Sequence, residues 1–341
     1  MDVQKIRNME EFSEVSGISR PTISKYFNDP ATVKPRTRER IEHALNRYDF
    51  RPNLYAINQN RKFTKNIGVV VPHLIDPFFA EIVRQIEMRC LAEGYWAIVL
   101  SSHGQAEMEV NALDMLRSLK LAGTIIAPLG EKSDRRRIQQ MSKDMPTVIF
   151  DSHLEIDEVF FGTDNYQSIG LIVDYLCRSG EPPCFMQMPG VNTNAVERSD
   201  AYVKSMERFG LEPKIVPVAE ETWNFEHIGY SQGLRLLAER KFPSSTVLCA
   251  NDRLAIGLMA AAYEMGLQVG RGPGNAMRIA GHDDHPFSRF TSPPLTTVAQ
   301  DYTLIAEKSV STLFEMIDNG RDAALPRTER LEARLIMRAS A

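Results

Sequence analysis

Residues 17–28, Gly-Ile-Ser-Arg-Pro-Thr-Ile-Ser-Lys-Tyr-Phe-Asn, predict a short helix that follows a tight turn. Ser19 can cap this helix because its hydroxyl oxygen can accept from the first free amides, and Pro21 suits the first turn. Ile23 and Phe27 lie four residues apart, so they share one apolar face. The opposite face of the helix carries two basic side chains, Arg20 and Lys25.

A second short helix is predicted immediately before this stretch. Asn8 is a suitable N-cap, Glu11 completes a capping box, and Gly17 ends the helix. Its apolar residues recur at helical spacing: Met9, Phe12 and Val15. Two short helices joined through a glycine, with basic side chains on the second, are typical of a helix-turn-helix that inserts its second helix into the DNA major groove. An ordinary pair of helices with a solvated basic face fits this stretch equally well.

The residues that follow favour the DNA-binding interpretation. Pro35 is a good first helical residue, and the run 36–48 places Ile41, Leu45 and Tyr48 on one face. We therefore predict a third helix that completes a small three-helix core.

The motif Phe50-Arg-Pro-Asn53 follows, and a polar segment continues to Lys65. Together with the three helices, it resembles the lactose/galactose repressor family, in which a three-helix headpiece ending in Pro-Asn precedes a hinge helix. The matching residues are Gly17, Ser19, Thr22, Ile23, Ser24, Asn28, Thr37, Arg38, Pro52, Asn53 and Ala56. The resemblance implies a DNA-binding headpiece at 1–52, followed by a hinge helix and linker at 53–65.

The resemblance also assigns roles within the DNA-binding surface. Base-reading positions are occupied by Arg20, Pro21 and Lys25, and because Pro21 has no side-chain donor, the two basic residues carry the readout. Phosphate contacts are assigned to Ser19, Thr22, Ser24 and Asn28. Hinge contacts are assigned to Asn53, Tyr55, Ala56 and Gln59. Family members place a leucine wedge in the minor groove at the position of Gln59, so the chain departs from the family at its DNA-kinking residue.

Charge is distributed unevenly along the chain. Residues 1–65 contain 13 Lys/Arg and 8 Asp/Glu, a net charge of +5, and subtraction from the totals of 40 and 44 leaves 27 against 36, or -9, for the remainder. A basic N-terminal region followed by an acidic remainder is expected when the N-terminal region contacts phosphates.

The composition excludes several classes of protein. A chain of 341 residues, 43% hydrophobic and 25% charged, is typical of a globular protein with two or three domains. No stretch approaches the roughly 20 apolar residues that span a bilayer, and the N-terminus lacks a signal-peptide core. We therefore expect a cytoplasmic protein without a membrane partner. Irregular spacing in apolar surroundings predicts reduced core thiols at the four cysteines, Cys90, Cys177, Cys184 and Cys249.

From Asn66 onward, strands and helices alternate regularly, which specifies parallel sheets covered by helices on both faces. The predicted strands of a first lobe are 67–71, 96–101, 123–127 and 147–150, and those of a second are 184–188, 214–218, 246–249 and 278–281. The fold class is therefore α/β, with a small all-α headpiece followed by two doubly wound parallel-sheet lobes. Such sheets bind ligands beyond the carboxyl ends of their strands, so the expected site is a cleft between the lobes.

This body, at 66–341, resembles the periplasmic sugar-binding protein fold that the repressor family shares. The matching motifs are Asp76-Pro-Phe-Phe79, Ala250-Asn-Asp252, Gly281-His-Asp-Asp284, the run 293–298 and Gln300-Asp301. In that fold the chain recrosses between lobes. The resemblance therefore implies a first lobe at about 66–162 and 293–324, and a second at about 163–292 and 325–341.

Polar side chains at the strand ends of both lobes would converge on this cleft: Asp76, Asp151, Asn194, Arg198, Asn251 and Asp283, with Gln300 at a crossover. These groups can hydrogen-bond to the hydroxyls of one small molecule, while Phe78, Phe79 and Trp223 offer faces for a sugar ring. By resemblance, Arg198 and Asp283 occupy the main ligand-contacting positions. Some of the set would instead cap helices or join the lobes, and Asp252, directly before a helix, is expected to be a cap.

The predicted set contains three carboxylates against one guanidinium, so an anionic ligand would meet more repulsion than attraction. A small neutral effector, a sugar or sugar alcohol, is therefore expected, with a purine or nucleoside as the alternative. His282-Asp-Asp-His285 contains metal-capable groups, but neighbouring side chains at a strand end diverge, and no second ligand pair accompanies them. We expect no metal and no cofactor. The absence of a nucleophile elbow or other catalytic arrangement argues against an enzyme.

These observations predict a transcriptional repressor that binds a near-palindromic operator as a homodimer and responds to a small effector. A sugar-binding protein without a regulatory role is the competing class, but it would have no use for residues 1–65. No apolar heptad tail follows the strand-like run 331–337, so a dimer is expected instead of a tetramer. The sequence does not identify the effector or the operator, or whether the effector releases or recruits DNA.

Overall fold

The computed structural model describes residues 6–28, 30–51, 63–220, 222–272, 274–320 and 328–341. The chain divides into two compact units, Met1–Thr64 and Lys65–Ala341, and each is described by itself. The four predicted hinge contacts lie outside the described residues: Asn53, Tyr55, Ala56 and Gln59.

The first unit contains the three predicted helices, α1 (Met9–Ser16), α2 (Arg20–Asn28) and α3 (Pro35–Tyr48), with a 3-10 turn at Pro30–Thr32. The Asn8 side chain accepts from the Glu11 amide at 2.9 Å, as a helix N-cap should. Gly17 ends α1 in the left-handed conformation with φ of 62°, which places α2 directly after a tight turn. The predicted helix-turn-helix is therefore present.

The headpiece core confirms most of the predicted apolar face. Phe12, Ile23 and Ile41 are fully buried, and the rings of Phe12 and Phe50 stack with centroids 4.6 Å apart. Val15, in the last turn of α1, was predicted to share this face but is 44% exposed.

The predicted cap of α2 was wrong in detail. The Ser19 hydroxyl lies 2.8 Å from the Thr22 hydroxyl, while the Ser19 carbonyl oxygen accepts from the Thr22 and Ile23 amides.

The second unit begins with a six-stranded sheet whose strands all run parallel, in the order β11-β5-β4-β3-β1-β2. Its strands are β1 (Asn66–Val71), β2 (Trp96–Ser101), β3 (Gly123–Ile126), β4 (Thr147–Phe150), β5 (Phe160–Thr163) and β11 (Thr328–Leu331). The helices that cover it are α4 (Pro77–Ala92), α5 (Ala106–Ser118), α6 (Arg135–Asp144) and α11 (Tyr302–Asn319). This is the first lobe.

The second lobe has a four-stranded parallel sheet in the order β7-β6-β8-β9. Its strands are β6 (Cys184–Met186), β7 (Ile215–Val216), β8 (Thr246–Cys249) and β9 (Arg278–Ala280). Its helices are α7 (Asn165–Ser179), α8 (Thr193–Arg208), α9 (Phe225–Ala238) and α10 (Asp252–Glu264). An antiparallel pair, β10 (Thr297–Ala299) with β12 (Arg334–Ile336), lies beside this lobe. The predicted fold class is thus confirmed.

The division between the lobes differs from the prediction in two places. β11 joins the first sheet beside β5, although residues 325–341 were assigned to the second lobe. Leu295 and Val298 pack in the second lobe's core, although residues 293–324 were assigned to the first. The chain recrosses after Ala299 and again after Leu331, and a strand's own sequence pattern does not indicate which sheet will pair with it.

None of the helices in the described ranges is both long and apolar enough to cross a bilayer.

Two glycines set the spacing between α9 and α10. A Cβ atom at Gly257 would lie 2.1 Å from the Glu226 carbonyl oxygen, and one at Gly229 would lie 2.1 Å from the Leu254 carbonyl oxygen. The two helices therefore approach each other closely, which fixes the N-terminus of each helix beside the other.

We expect Gly257→Ala to lower the free energy of unfolding by about 1–3 kcal/mol, because the added methyl group forces α9 and α10 apart. Calorimetric Tm measurements on the full chain would show the loss. Gly190→Ala is the matched control, because a Cβ atom at Gly190 meets nothing within 4 Å. An equal fall in Tm for both variants would contradict the explanation from close packing.

Candidate functional site

The exposed surface of α2 carries the predicted DNA-reading residues. Arg20, Pro21 and Lys25 are exposed, as is Ser19 just before the helix, whereas Thr22 and Ser24 are half-buried. Asn28 is the last residue of the helix, and its side chain lies outside the described part.

Arg20 has a partner on the preceding helix. Its Nη1 atom lies 2.7 Å from Glu10 Oε1, and the two side chains are 63% and 58% exposed. An ion pair this exposed contributes little stability, so Arg20 can exchange Glu10 for another partner at small cost.

The ten residues predicted to bind an effector all line one cavity between the lobes of the body. The cavity holds about 370 Å³ of space between atoms. The two lobes contact each other across it through Asp76 and Arg253. The predicted residues that the structure brings together are Asp76, Phe78, Phe79, Asp151, Asn194, Arg198, Trp223, Asn251, Asp283 and Gln300.

Arg198 lies at the base of this cavity and is 4% exposed. Its Nη2 atom lies 3.0 Å from Asp283 Oδ1, Nε donates to Asn165 Oδ1 at 3.0 Å, and Nη1 donates to the Ala250 carbonyl oxygen at 2.8 Å. A buried guanidinium needs partners of this kind, because an unpaired charge in the interior is very costly.

Asp283 is held from several sides. Its Oδ1 atom lies 2.9 Å from His282 Nδ1 and accepts from Gln300 Nε2 at 2.7 Å, in addition to its pairing with Arg198. Burial alone would raise the pKa of Asp283, but Arg198 and His282 lower it below its ordinary value. Its φ of 120° is unusual for a residue with a side chain, and such strain is typical of functional sites.

The ring of His282 is buried and lies between two partners, Asp283 and Ser168. Burial, reinforced by Arg198, lowers the pKa of His282 to about 4, so the ring is neutral at physiological pH. The neutral ring donates from Nδ1 to Asp283, and its Nε2 atom lies 2.9 Å from the Ser168 hydroxyl oxygen. Both ring nitrogens are therefore occupied within the protein.

The carboxyl group of Asp151 has fewer partners within the protein than that of Asp283. It follows β4 with a φ of 66°, and its Oδ1 atom accepts from Asn194 Nδ2 at 2.9 Å. Burial raises the pKa of Asp151 to about 7, although Arg198 partly opposes the shift. Near neutral pH the group is present in both protonation states, so it can either accept a hydrogen bond from a ligand hydroxyl or donate one.

Asp76 caps α4 and also joins the two lobes. Its Oδ1 atom accepts from the Phe78 amide at 3.0 Å, and its Oδ2 atom lies 2.8 Å from Arg253 Nη1. Arg253, in the second lobe, also donates from Nε and Nη2 to both carboxylate oxygens of Glu226, at 2.7 and 2.6 Å. Asp76 thus has both oxygens engaged within the protein, which leaves it less free to bind a ligand than the sequence suggested.

The structure corrects the expected roles of Asn251 and Asp252. Asn251 Oδ1 accepts from the Leu254 amide at 2.8 Å, so Asn251 is the N-cap of α10. Asp252 turns inward and accepts from the His285 amide at 2.8 Å and from the Ser288 and Thr297 hydroxyls at 2.5 Å. The cap lies at Asn251 because the helix begins at Asp252, one residue earlier than a cap at Asp252 would require.

Aromatic side chains close one side of the cavity. Trp223, from the second lobe, lies against first-lobe rings, with centroids 6.1 Å from Phe79 and 5.4 Å from His73. Phe225 follows at 5.7 Å from Trp223. Together they offer apolar faces to a bound ring.

Four residues that line the cavity were missed by the sequence analysis: Met188, Asn192, Phe225 and Arg253. Three of them, Asn192, Phe225 and Arg253, lie two residues from the predicted Asn194, Trp223 and Asn251. Considering two residues on either side of each predicted position would have found them. Arg253 matters most, because it adds a second guanidinium to a site predicted to contain one.

A second polar cluster joins the lobes. Glu197, on α8, accepts from Asn165 Nδ2 at 2.6 Å and from Arg330 Nη1 at 3.0 Å, and it lies 2.9 Å from His153 Nε2. Burial alone would raise the pKa of Glu197, but these partners lower it to about 2. His153 and Arg330 belong to the first lobe, so this carboxylate holds both lobes together.

Comparison with known proteins agrees with this geometry. A model of bacterial regulatory proteins of the lacI family matches residues 8–53, and one of a periplasmic binding protein-like domain matches residues 166–341. The chain is 26% identical to the HTH-type transcriptional repressor PurR of Mannheimia succiniciproducens, covering 91% of each chain. It is 27% identical to the repressor of the same name from Haemophilus influenzae strain PittEE, covering 95% of each.

A solved Lac repressor dimer, bound to operator and the anti-inducer ONPF, superposes with a TM-score of 0.84 at 25% identity. The match covers 98% of this chain and 99% of that one. The helix-turn-helix, the two-lobed body and these matches agree, and the chain belongs to the lacI family of DNA-binding transcriptional repressors, which are not enzymes.

Proposed function

We propose that the chain represses transcription from a near-palindromic operator as a homodimer in the cytoplasm, and that a sugar or sugar alcohol bound between the lobes controls its affinity for DNA. The observation that carries the effector class is the cavity itself, whose guanidinium groups are already paired with carboxylates and whose walls include aromatic faces. A neutral, hydroxyl-rich ring fits both features.

The charge argument is modified by the structure. Arg253 changes the expected ratio of three carboxylates to one guanidinium into three to two: Asp76, Asp151 and Asp283 against Arg198 and Arg253. Because Asp283 pairs with Arg198 and Asp76 with Arg253, the remaining carboxyl, Asp151, can exchange hydrogen bonds with a hydroxyl. A solved Lac repressor bound to ONPG, 25% identical to this chain, supports a sugar-like ligand.

A purine or nucleoside is the second candidate. Trp223 and Phe225 would stack on a base as readily as on a pyranose, and the repressors named PurR among the relatives favour this alternative. A thermal-shift screen of sugars, polyols and nucleobases separates the two, because a ligand that binds only the native state raises its Tm.

The proposed mechanism is thermodynamic linkage. An effector that binds the closed lobes more tightly than the open lobes shifts their equilibrium, and operator affinity changes by the same coupling free energy. Polar contacts between the lobes, such as Asp76 with Arg253 and Glu197 with Arg330, are the interactions that lobe opening would break.

The homodimer is supported by apolar side chains exposed on the first lobe. Met88 and Leu91 on α4 and Trp96 on β2 are 58%, 48% and 68% exposed. β2 is also the edge strand of its sheet. A partner that covered this edge would remove these side chains from water.

Affinity for operator DNA should fall steeply with salt, and Arg20→Ala should reduce discrimination between operator and random DNA by about 1–3 kcal/mol if Arg20 contacts a guanine through both nitrogens. Binding titrations on operator and scrambled duplexes at several salt concentrations measure both effects. Arg36→Ala, an exposed basic residue on α3, controls for loss of charge. Unchanged discrimination would remove Arg20 from base readout.

Asp283→Asn should weaken binding of the best screening ligand by roughly one to two orders of magnitude, because it removes a charge-assisted hydrogen bond, which contributes about 1.5–3 kcal/mol, and the carboxylate that positions Arg198. Isothermal titration of the full chain measures this loss, and operator binding without ligand should stay nearly unchanged. Asp284→Asn is the control, since Asp284 pairs with Arg338 and does not line the cavity. Full ligand affinity in Asp283→Asn would place the binding site elsewhere.

Light scattering should show a dimer without DNA, and Trp96→Glu should shift it toward monomer by placing a charge in the apolar interface. Val196→Glu, on an exposed residue of α8, should leave the assembly unchanged. A stable tetramer, or a Trp96→Glu variant as dimeric as the parent, would contradict this assignment.

A further inference from the structure

The charge balance around Arg253 is unusual for a ligand cavity. The residue is 8% exposed, and its three guanidinium nitrogens all donate to carboxylates: Nε and Nη2 to Glu226, and Nη1 to Asp76. Glu226 belongs to the same lobe as Arg253, whereas Asp76 reaches it from the other lobe. The closed lobes therefore place two carboxylates on one guanidinium, a formal charge of minus one.

A buried guanidinium is the group best suited to bind a carboxylate or phosphate of a ligand, because its donors form a planar fork. Among the fourteen described residues that line the cavity, only Arg198 and Arg253 are cationic. Arg198 uses its donors on Asp283, Asn165 and Ala250. Each guanidinium thus already has a carboxylate partner, Asp283 for Arg198 and Asp76 with Glu226 for Arg253, so an anion would meet a cation whose charge is already balanced.

We propose that Asp76 is a specificity-determining residue, which restricts the cavity to uncharged ligands by occupying Arg253 Nη1 across the cleft. An anionic ligand group would have to displace the Asp76 carboxylate into a cavity whose other lining cation, Arg198, is already paired with Asp283. A neutral ligand leaves the pair intact and bonds to groups such as Asp151. The inference rests on the proposed effector site and assigns its charge selectivity to the carboxylates that surround Arg253, of which Asp76 lines the cavity.

Asp76→Asn is the informative substitution. It keeps the shape of the side chain and an oxygen that can accept from the Phe78 amide, so the cap of α4 is retained. It removes the negative charge that faces Arg253. The cluster then consists of one guanidinium and one carboxylate, and Nη1 is free to donate to an anion.

Isothermal titration with D-gluconate and with inorganic phosphate tests the proposal on the full chain. The parent protein should show no measurable affinity for either anion. Asp76→Asn should bind at least one of them with a Kd about tenfold below the weakest Kd that the titration can detect, as expected for a new charge-assisted hydrogen bond. Glu81→Gln, on the same helix but outside the cavity, removes one negative charge and should gain nothing.

Two further variants keep the test decisive. Glu226→Gln frees the other side of the guanidinium and should also gain anion affinity, so the proposal can be tested even if Asp76→Asn does not fold. Asp76→Asn combined with Arg253→Met should lose the gain. Anion binding by the parent protein, no gain in either single variant, or a gain that persists in the double variant would overturn the proposal. Operator binding, measured on the same samples without ligand, reports separately on the proposed regulatory function.

Discussion

The buried guanidinium of Arg198 is the interaction on which the ligand cavity depends. It connects α8 with the loop after β9 through Asp283, with the end of β8 through the Ala250 carbonyl, and with the start of α7 through Asn165. Removing one partner from such a group leaves an uncompensated charge, which typically costs about 3–5 kcal/mol. Arg198 is thus as much a structural element of the second lobe as a candidate ligand contact.

One part of the cavity lining belongs to the second lobe alone, and the other part is contributed by the first lobe when the lobes close. Arg198, Asp283 and His282 all belong to the second lobe and remain together whichever way the lobes move. Asp76 and Asp151 come from the first lobe and meet their partners, Arg253 and Asn194, only across the cleft. A ligand would therefore bind first to a preformed surface and be enclosed by groups that arrive with the other lobe.

Sequence reasoning located the cavity because the carboxyl ends of parallel strands meet at one edge of each sheet, and because family resemblance marked the motifs there. The same reasoning did not identify β5, since Phe160–Thr163 is a four-residue strand with no helix before it, directly after a loop. It also assigned β11 to the wrong lobe. The pairing of β11 with β5 joins residues far apart in sequence, and local periodicity does not predict such a pairing. The role of Arg253 was missed because its partners lie far apart in sequence, at Asp76 and Glu226.

Four consecutive residues at the start of α10 have four separate structural tasks. The Ala250 carbonyl accepts from Arg198, Asn251 caps the helix, Asp252 anchors the loop that holds Ser288, and Arg253 joins the lobes. Substitution of Asn251, Asp252 or Arg253 would remove a contact that holds the fold together as well as any contact with a ligand. A new effector preference can therefore evolve most readily through the aromatic wall, where Trp223 and Phe225 contribute shape without anchoring other segments through hydrogen bonds.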